Sequence, residues 1–163
     1  MRNGKDLTPE IQGLIIPGGE STTMVHFLAK NGFLEELKNW ITPEKAVWGT
    51  CAGLILLADQ IKSEDTKIGG LPIKVSRNSY GRQRESFEME IKFLDDQKSF
   101  NGIFIRAPKI IDILDKAKIQ ILASKSENGE IVGVQKENLM ATSFHPELTD
   151  DLRFHAHFLS LIN

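Results

Sequence analysis

The sequence predicts an α/β protein built around a mixed sheet with helices on its faces. In the first third of the chain, short apolar runs alternate with helical spacing, which is the pattern of a parallel sheet buried on both sides. In the middle, apolar and polar residues alternate singly, as they do in half-exposed antiparallel strands. The 163 residues have the length of one domain, and we expect residues 1–163 to form a single domain.

The first half of the chain predicts a strand–helix–strand–helix order. A β-branched run ended by Pro-Gly-Gly indicates a buried strand, and the polar segment Glu20–Thr23 can cap the helix that follows. Gly32 interrupts the apolar spacing of this helix. The predicted elements are a strand at 13–16, helical segments at 24–28 and 33–41, a strand at 46–48 and a helix at 54–61.

The second half of the chain predicts further strands and a closing helix. Glu127, Asn128 and Gly129 form a turn sequence that can join two strands in a hairpin. Asp150 and Asp151 can cap the amphipathic helix at the end of the chain. The predicted strands lie at 71–75, 87–93, 102–105, 119–124, 130–134 and 139–144.

Composition and charge exclude several classes of function. A net charge of −2 and a pI near 6.1 argue against a nucleic-acid binder with a broad basic face. The first residues are polar, without the apolar core of a secretory signal, and the longest mostly apolar stretch, 46–58, is too short to span a membrane. We therefore expect a cytoplasmic protein that binds neither nucleic acid nor membrane.

The single cysteine, Cys51, excludes an intramolecular disulfide and a Cys-rich zinc site. It stands between a predicted strand and a predicted helix, with Gly49 and Gly53 two residues away on either side. This spacing is typical of a nucleophile elbow, and a helix N-terminus is expected to favour the thiolate. The alternative is a buried structural cysteine, which is common for this residue type.

A cysteine nucleophile needs a base, and His145 is the best candidate. His26, His155 and His157 lie on predicted helices, where surface or packing roles are expected. The proline after His145 keeps that residue extended, so the side chain of Glu147 is expected to point the same way and to bind the imidazole. The alternative is a strand-terminal histidine beside a surface glutamate.

Acyl transfer also needs donors for an oxyanion. Gly18 and Gly19 close the first strand at the sheet edge where the cysteine loop is expected, and glycine can turn its N–H inward without steric cost. The amide of Ala52 offers a second donor. The alternative is that Pro-Gly-Gly is an ordinary turn.

Several segments resemble class I glutamine amidotransferases and, more narrowly, the glutaminase subunit of pyridoxal 5′-phosphate synthase (the PdxT/SNO family). The resemblance runs from about Leu14 to the end of the chain. Ile55 stands where many amidotransferases of the class carry glutamine, and Gly-Gly-Glu-Ser-Thr is a mark of the vitamin B6 branch. The matching segments are 16–22, 48–54, 77–83, 104–108 and 143–148.

The resemblance implies a flavodoxin-like fold with a mixed, mainly parallel sheet and helices on both faces, lacking the first β-strand and helix of the family. It implies hydrolysis of L-glutamine to L-glutamate and ammonia, without a metal or organic cofactor. The ammonia would pass to a (β/α)₈-barrel synthase subunit, the partner that makes pyridoxal 5′-phosphate.

The resemblance also assigns roles to individual residues. Cys51 matches the nucleophile, His145 the general base and acid, and Glu147 the residue that orients the histidine. The segments that match the oxyanion hole contain Gly18, Gly19 and Ala52. The positions that match L-glutamine-binding residues are Gly19, Glu20, Ser21, Arg77, Ile105 and Arg106.

Two alternatives remain. The first is a class I amidotransferase that serves another acceptor, although Ile55 and Gly-Gly-Glu-Ser-Thr count against it. The second follows from the segment Met1–Gln12, which is polar where the family has an apolar strand and a helix. In that case the chain is an N-terminally truncated, catalytically impaired form that only binds the synthase subunit.

Overall fold

The computed structural model describes residues 4–30, 32–62, 68–77, 86–94 and 98–162. Short 3₁₀ helices lie at Gly4–Asp6 and Pro146–Leu148. The helices are α1 (Ser21–Lys30), α2 (Phe33–Trp40), α3 (Ala52–Leu57) and α4 (Arg153–Ser160). The strands are β1 (Gly13–Ile16), β2 (Ala46–Thr50), β3 (Ala58–Ile61), β4 (Leu71–Ser76), β5 (Ser86–Phe93), β6 (Phe100–Ile105), β7 (Lys109–Ile113), β8 (Gln120–Lys125), β9 (Ile131–Lys136) and β10 (Leu139–Thr142).

A seven-stranded mixed sheet with the order β1-β2-β10-β9-β8-β5-β6 forms the centre of the fold. Strand β2 pairs in parallel with β1 and with β10, whereas the remaining neighbours pair antiparallel. The expectation of a mainly parallel sheet is therefore wrong for the described residues, although the mixed sheet is confirmed. The reason is that the pairs β5–β6, β8–β9 and β9–β10 are consecutive strands joined by short connections, and such neighbours pair antiparallel.

Helices cover both faces of this sheet, as predicted. Side chains alternate along β2, so that Val47 faces the core with α1, α2 and α3, while Ala46 and Trp48 face α4. Phe154 and Phe158 of α4 are buried against the second face. A smaller sheet with the order β3-β4-β7 completes the first core.

Several elements differ from the sequence prediction. The helix predicted over 54–61 ends at Leu57, and Ala58–Ile61 is the strand β3, which pairs in parallel with β4. A continuous apolar run does not distinguish a buried helix from a buried strand. The interruption predicted at Gly32 is confirmed, because α1 and α2 are separate helices and Gly32 has a φ of 67°. Strand β10 ends at Thr142, and β7 was not predicted.

The described residues include no helix with the length and apolar character needed to cross a membrane.

Candidate active site

Cys51 lies in a sharp turn between β2 and α3. Its backbone has φ 50° and ψ −102°, a conformation that side-chain-bearing residues rarely adopt. The Cys51 N–H donates to the carbonyl of Thr142 at 2.8 Å, and its own carbonyl accepts the N–H of Leu54 at 3.1 Å. Strain of this kind costs about 1–3 kcal/mol and persists only where the surrounding structure holds it.

The two glycines of the elbow are needed for close packing rather than for their own φ angles. A Cβ on Gly53 would overlap the carbonyl oxygen of Ile16, and a Cβ on Gly49 would lie 2.5 Å from the carbonyl carbon of Gly53. Neither glycine has a positive φ, whereas Cys51 between them does. The Gly-x-x-x-Gly spacing thus allows β1, β2 and α3 to approach each other directly beneath the thiol.

His145 follows β10 and forms a hydrogen bond with Glu147. The distance between His145 Nδ1 and Glu147 Oε1 is 2.8 Å, so Nδ1 carries a proton toward the carboxylate. The predicted contact is present, but Glu147 belongs to the 3₁₀ turn 146–148 and not to an extended segment. The His145 N–H donates to the carbonyl of Ile103 at 2.8 Å. Its Nε2 is buried, with no hydrogen-bond partner among the described residues.

Gly18 brings the nucleophile and the histidine together. A Cβ at this position would lie 2.5 Å from Cε1 of His145 and 3.3 Å from Cβ of Cys51. Both side chains therefore pack directly against the backbone of the Pro-Gly-Gly turn. Gly19 has a φ of 140°, which side chains disfavour.

A cavity of about 870 Å³ opens over these residues. Every residue assigned to the site from the sequence lines it except Gly18, which packs against His145 and Cys51, and Glu147, which binds His145. Three lining residues were not assigned: Thr22, Ile55 and Ser86. Thr22 belongs to the segment 16–22 that carries the family resemblance. Ser86 pairs with Ile105 and belongs to none of the matching segments, so the sequence does not point to it. The remaining lining residues are Gly19, Glu20, Ser21, Cys51, Ala52, Arg77, Ile105, Arg106 and His145.

Polar side chains at one end of the cavity are held by hydrogen bonds. The carboxylate of Glu20 accepts the N–H groups of Thr22 and Thr23 at 3.3 and 2.9 Å and so caps α1; the bond from Thr23 is the main cause of its lowered pKa. Arg77 Nη1 donates to the hydroxyl of Thr22 at 3.2 Å, which directs the guanidinium into the cavity. The rest of the arginine motif, 78–83, lies outside the described residues.

The thiol itself is neutral in this resting arrangement. The pKa of Cys51 is raised to about 11, mainly by burial; the Ala52 N–H lowers it and the charge of Glu147 raises it, each by less than burial does. The expectation that a helix N-terminus would favour the thiolate is therefore wrong here, because desolvation outweighs the backbone dipoles. The thiol donates to the carbonyl of Ile105, with Sγ and O 3.7 Å apart.

Alkylation of the free protein by iodoacetamide should consequently be slow at neutral pH. The thiolate is the reactive form, and it is scarce below a pKa of about 11, so the rate should rise with pH toward that value. Mass spectrometry of the protein without glutamine, sampled from pH 7 to pH 11, measures this profile. Rapid modification at pH 7 that does not increase with pH would contradict the raised pKa.

The described residues contain no group of three His, Cys, Asp or Glu side chains that could hold a metal ion. What they do contain is a buried thiol on a strained turn, an imidazole bonded to a carboxylate, and backbone amides beside both. This set can perform acyl transfer through a thioester.

Comparison with protein families agrees with this chemistry. The model of the SNO glutamine amidotransferase family matches residues 2–163, and the chain belongs to that family.

Curated relatives are named pyridoxal 5′-phosphate synthase subunit PdxT. The chain is 44% identical to the one from Bacillus cytotoxicus over 154 residues, which is 94% of this chain and 76% of the relative. It is 44% identical to the one from Pyrococcus furiosus over 156 residues, or 94% of this chain and 78% of the relative. A solved crystal structure of a glutamine amidotransferase superposes with a TM-score of 0.88 at 38% identity, covering 99% of this chain and 84% of the other.

Proposed function

We propose that this chain is a single-domain glutaminase that hydrolyses L-glutamine to L-glutamate and ammonia and supplies the ammonia to pyridoxal 5′-phosphate synthesis. The observation that carries the proposal is the convergence of Cys51, His145 and Gly18 beside an arginine-lined cavity. The names of its relatives support the pathway. Its partner is the synthase subunit, which we take to be a (β/α)₈ barrel.

The first half of the reaction acylates the thiol. Nε2 of His145 takes the proton of the Cys51 thiol as sulfur attacks the amide carbon of glutamine, and the carbonyl oxygen becomes an oxyanion. The amides of Gly19 and Ala52, with the Gly18 backbone, stabilise that charge. As the tetrahedral intermediate collapses, His145 gives its proton to the leaving nitrogen, and ammonia departs from a glutamyl thioester.

The second half hydrolyses the thioester. His145 removes a proton from water, the resulting oxygen nucleophile attacks the thioester carbon, and the C–S bond breaks. The proton then returns to sulfur, so that glutamate leaves and the neutral thiol is restored. Glu147 keeps Nδ1 protonated throughout and stabilises the imidazolium that forms twice in each turnover.

The cavity suits the free amino acid. The guanidinium of Arg77, held by Thr22, and the side chain of Arg106 provide positive charge for an α-carboxylate. The polar segment 19–21 offers partners for the α-ammonium group. No step requires a metal or an organic cofactor.

The decisive assay measures glutamate release from glutamine by this chain with and without the synthase subunit, together with formation of pyridoxal 5′-phosphate from sugar phosphates. We expect glutamate in both reactions, and pyridoxal 5′-phosphate only when the synthase subunit is present. Absence of glutamate in both would overturn the proposal. Release of glutamate without formation of pyridoxal 5′-phosphate would favour a different acceptor for the ammonia.

Replacing Glu147 by glutamine should lower kcat by about 100-fold or more with little change in KM. The neutral amide can present the wrong hydrogen-bonding group to Nδ1 and no longer stabilises the imidazolium, an effect worth up to about ten-thousandfold in a related triad. Steady-state glutaminase kinetics measure it. Glu127→Gln, an exposed glutamate in the hairpin turn, is the matched control and should retain full activity.

A further inference from the structure

We infer that Thr142 is a positioning residue for catalysis, joining the cysteine elbow to the histidine loop through its carbonyl and its hydroxyl. Thr142 is the last residue of β10 and is fully buried. It pairs with Thr50 of β2 on one side and with Gly133 of β9 on the other. The inference rests on the proposed glutaminase function, since it concerns how that nucleophile and base are held.

The backbone of Thr142 contacts the nucleophile directly. Its carbonyl accepts the N–H of Cys51 at 2.8 Å, and that bond is one of the few that hold Cys51 in its positive-φ conformation. A displacement of this carbonyl would remove a hydrogen bond that holds the strained turn and would change the position of Sγ.

The side chain of Thr142 is tied to both neighbouring segments. Its hydroxyl accepts the indole N–H of Trp48 at 3.2 Å, and Oγ1 lies 3.5 Å from the carbonyl of Phe144, the residue before His145. The first contact is a hydrogen bond and the second is a long, weaker one. One buried hydroxyl therefore lies between the strand that leads to Cys51 and the segment that leads to His145.

The donor to this hydroxyl is itself held firmly. The Trp48 ring packs against two residues of α4. It meets the His155 ring edge-on, with centroids 5.1 Å apart, and the Phe158 ring at a tilt, with centroids 5.8 Å apart. A buried hydroxyl without its partner, or an indole N–H without an acceptor, is destabilising, so the pair is maintained. The position of Thr142 is thus set by the aromatic core on the far side of the sheet.

Removing the hydroxyl tests the inference. Thr142→Val keeps the shape and should lower kcat by about 10- to 100-fold with little effect on KM, because small displacements of reacting groups have effects of this size. Thr142→Ser keeps the hydroxyl and should stay within about threefold of the wild type. The matched control is Ser143→Ala, because Ser143 is equally buried and its hydroxyl has no partner among the described residues.

The single cysteine provides a readout that does not depend on activity. With ¹⁵N-cysteine labelling, the amide of Cys51 gives one cross-peak, and its hydrogen exchange reports the bond to Thr142. Thr142→Val should speed this exchange at least about tenfold relative to Thr142→Ser and Ser143→Ala. With ¹⁵N-tryptophan, the indole signal of Trp48 should shift in Thr142→Val while that of Trp40 does not.

The outcomes separate the two proposals. If the wild type hydrolyses no glutamine, the proposed function fails, and the Cys51 exchange rates still decide the role of Thr142. If Thr142→Val keeps its kcat and its Cys51 protection, or if Thr142→Ser is equally impaired, the inference is overturned. If Thr142→Val does not fold, Trp48→Phe removes the donor instead: a reduced kcat at unchanged KM supports the inference, and an unchanged kcat overturns it.

Discussion

Replacing Cys51 by alanine is expected to abolish glutamine hydrolysis, lowering kcat by at least about a thousandfold. The reaction forms a covalent bond to Sγ, and no other cysteine exists in the chain to replace it. The fold should survive, because the thiol's hydrogen bond to the Ile105 carbonyl is long, at 3.7 Å, and alanine is smaller than cysteine. Glutamate release in the presence of the synthase subunit measures the loss.

Glutamine binding by Cys51→Ala shows whether the variant has lost only the nucleophile or the whole binding cavity. Cys51→Ala retains the arginines and the Gly18–Ser21 segment, so glutamine should still raise its Tm by mass action. Unchanged turnover would show that Cys51 is not the nucleophile. Lost turnover together with a lost response to glutamine would point to a collapsed cavity instead.

Replacing Gly53 by alanine is expected to destabilise the protein by about 3 kcal/mol or more and to remove activity with it. The added Cβ would overlap the carbonyl oxygen of Ile16 and lie 3.1 Å from its carbonyl carbon. These are backbone atoms of β1, which pairs with Gly49 of β2, so the strand cannot move aside without breaking the sheet. Thermal unfolding should show a Tm lower by roughly 6–12 °C.

Gly129→Ala is the matched control for this substitution. Gly129 has a φ of 71°, but a Cβ there meets nothing within 4 Å, so only the backbone strain of about 1 kcal/mol remains. Glutaminase activity of this variant should be normal. An equal loss of Tm in both variants would mean that the contact between α3 and β1 is looser than the structure shows.

The parts of the site that sequence could predict are those with local signals. Cys51 between spaced glycines, and His145 before a proline and a glutamate, each combine residue type and spacing in a few positions. The structure brings both to the same glycine, Gly18. Their catalytic roles and the glutamine-binding residues stay predictions, of which Cys51→Ala tests the nucleophile and Glu147→Gln the residue that orients the base.

Other features depend on contacts that sequence patterns do not contain. The pKa of Cys51 follows from its burial, which is set by how the whole core closes over the elbow. Ala58–Ile61 is a strand because it pairs with β4, and the apolar run before it does not distinguish a helix from a strand. Thr142 looks like an ordinary strand residue until β2 and β10 are placed side by side.

Strand β6 contacts both the histidine and the cysteine of the site. The carbonyl of Ile103 accepts the backbone N–H of His145, and the carbonyl of Ile105 accepts the thiol of Cys51. These partners come from the early, middle and late parts of the chain, so the site forms only after several large loops have closed. Contacts of such high sequence separation slow folding, because each requires the closure of a long loop. During synthesis, the thiol therefore acquires its base only when the last strand and the histidine loop arrive, and a partly made chain has no means of hydrolysing glutamine.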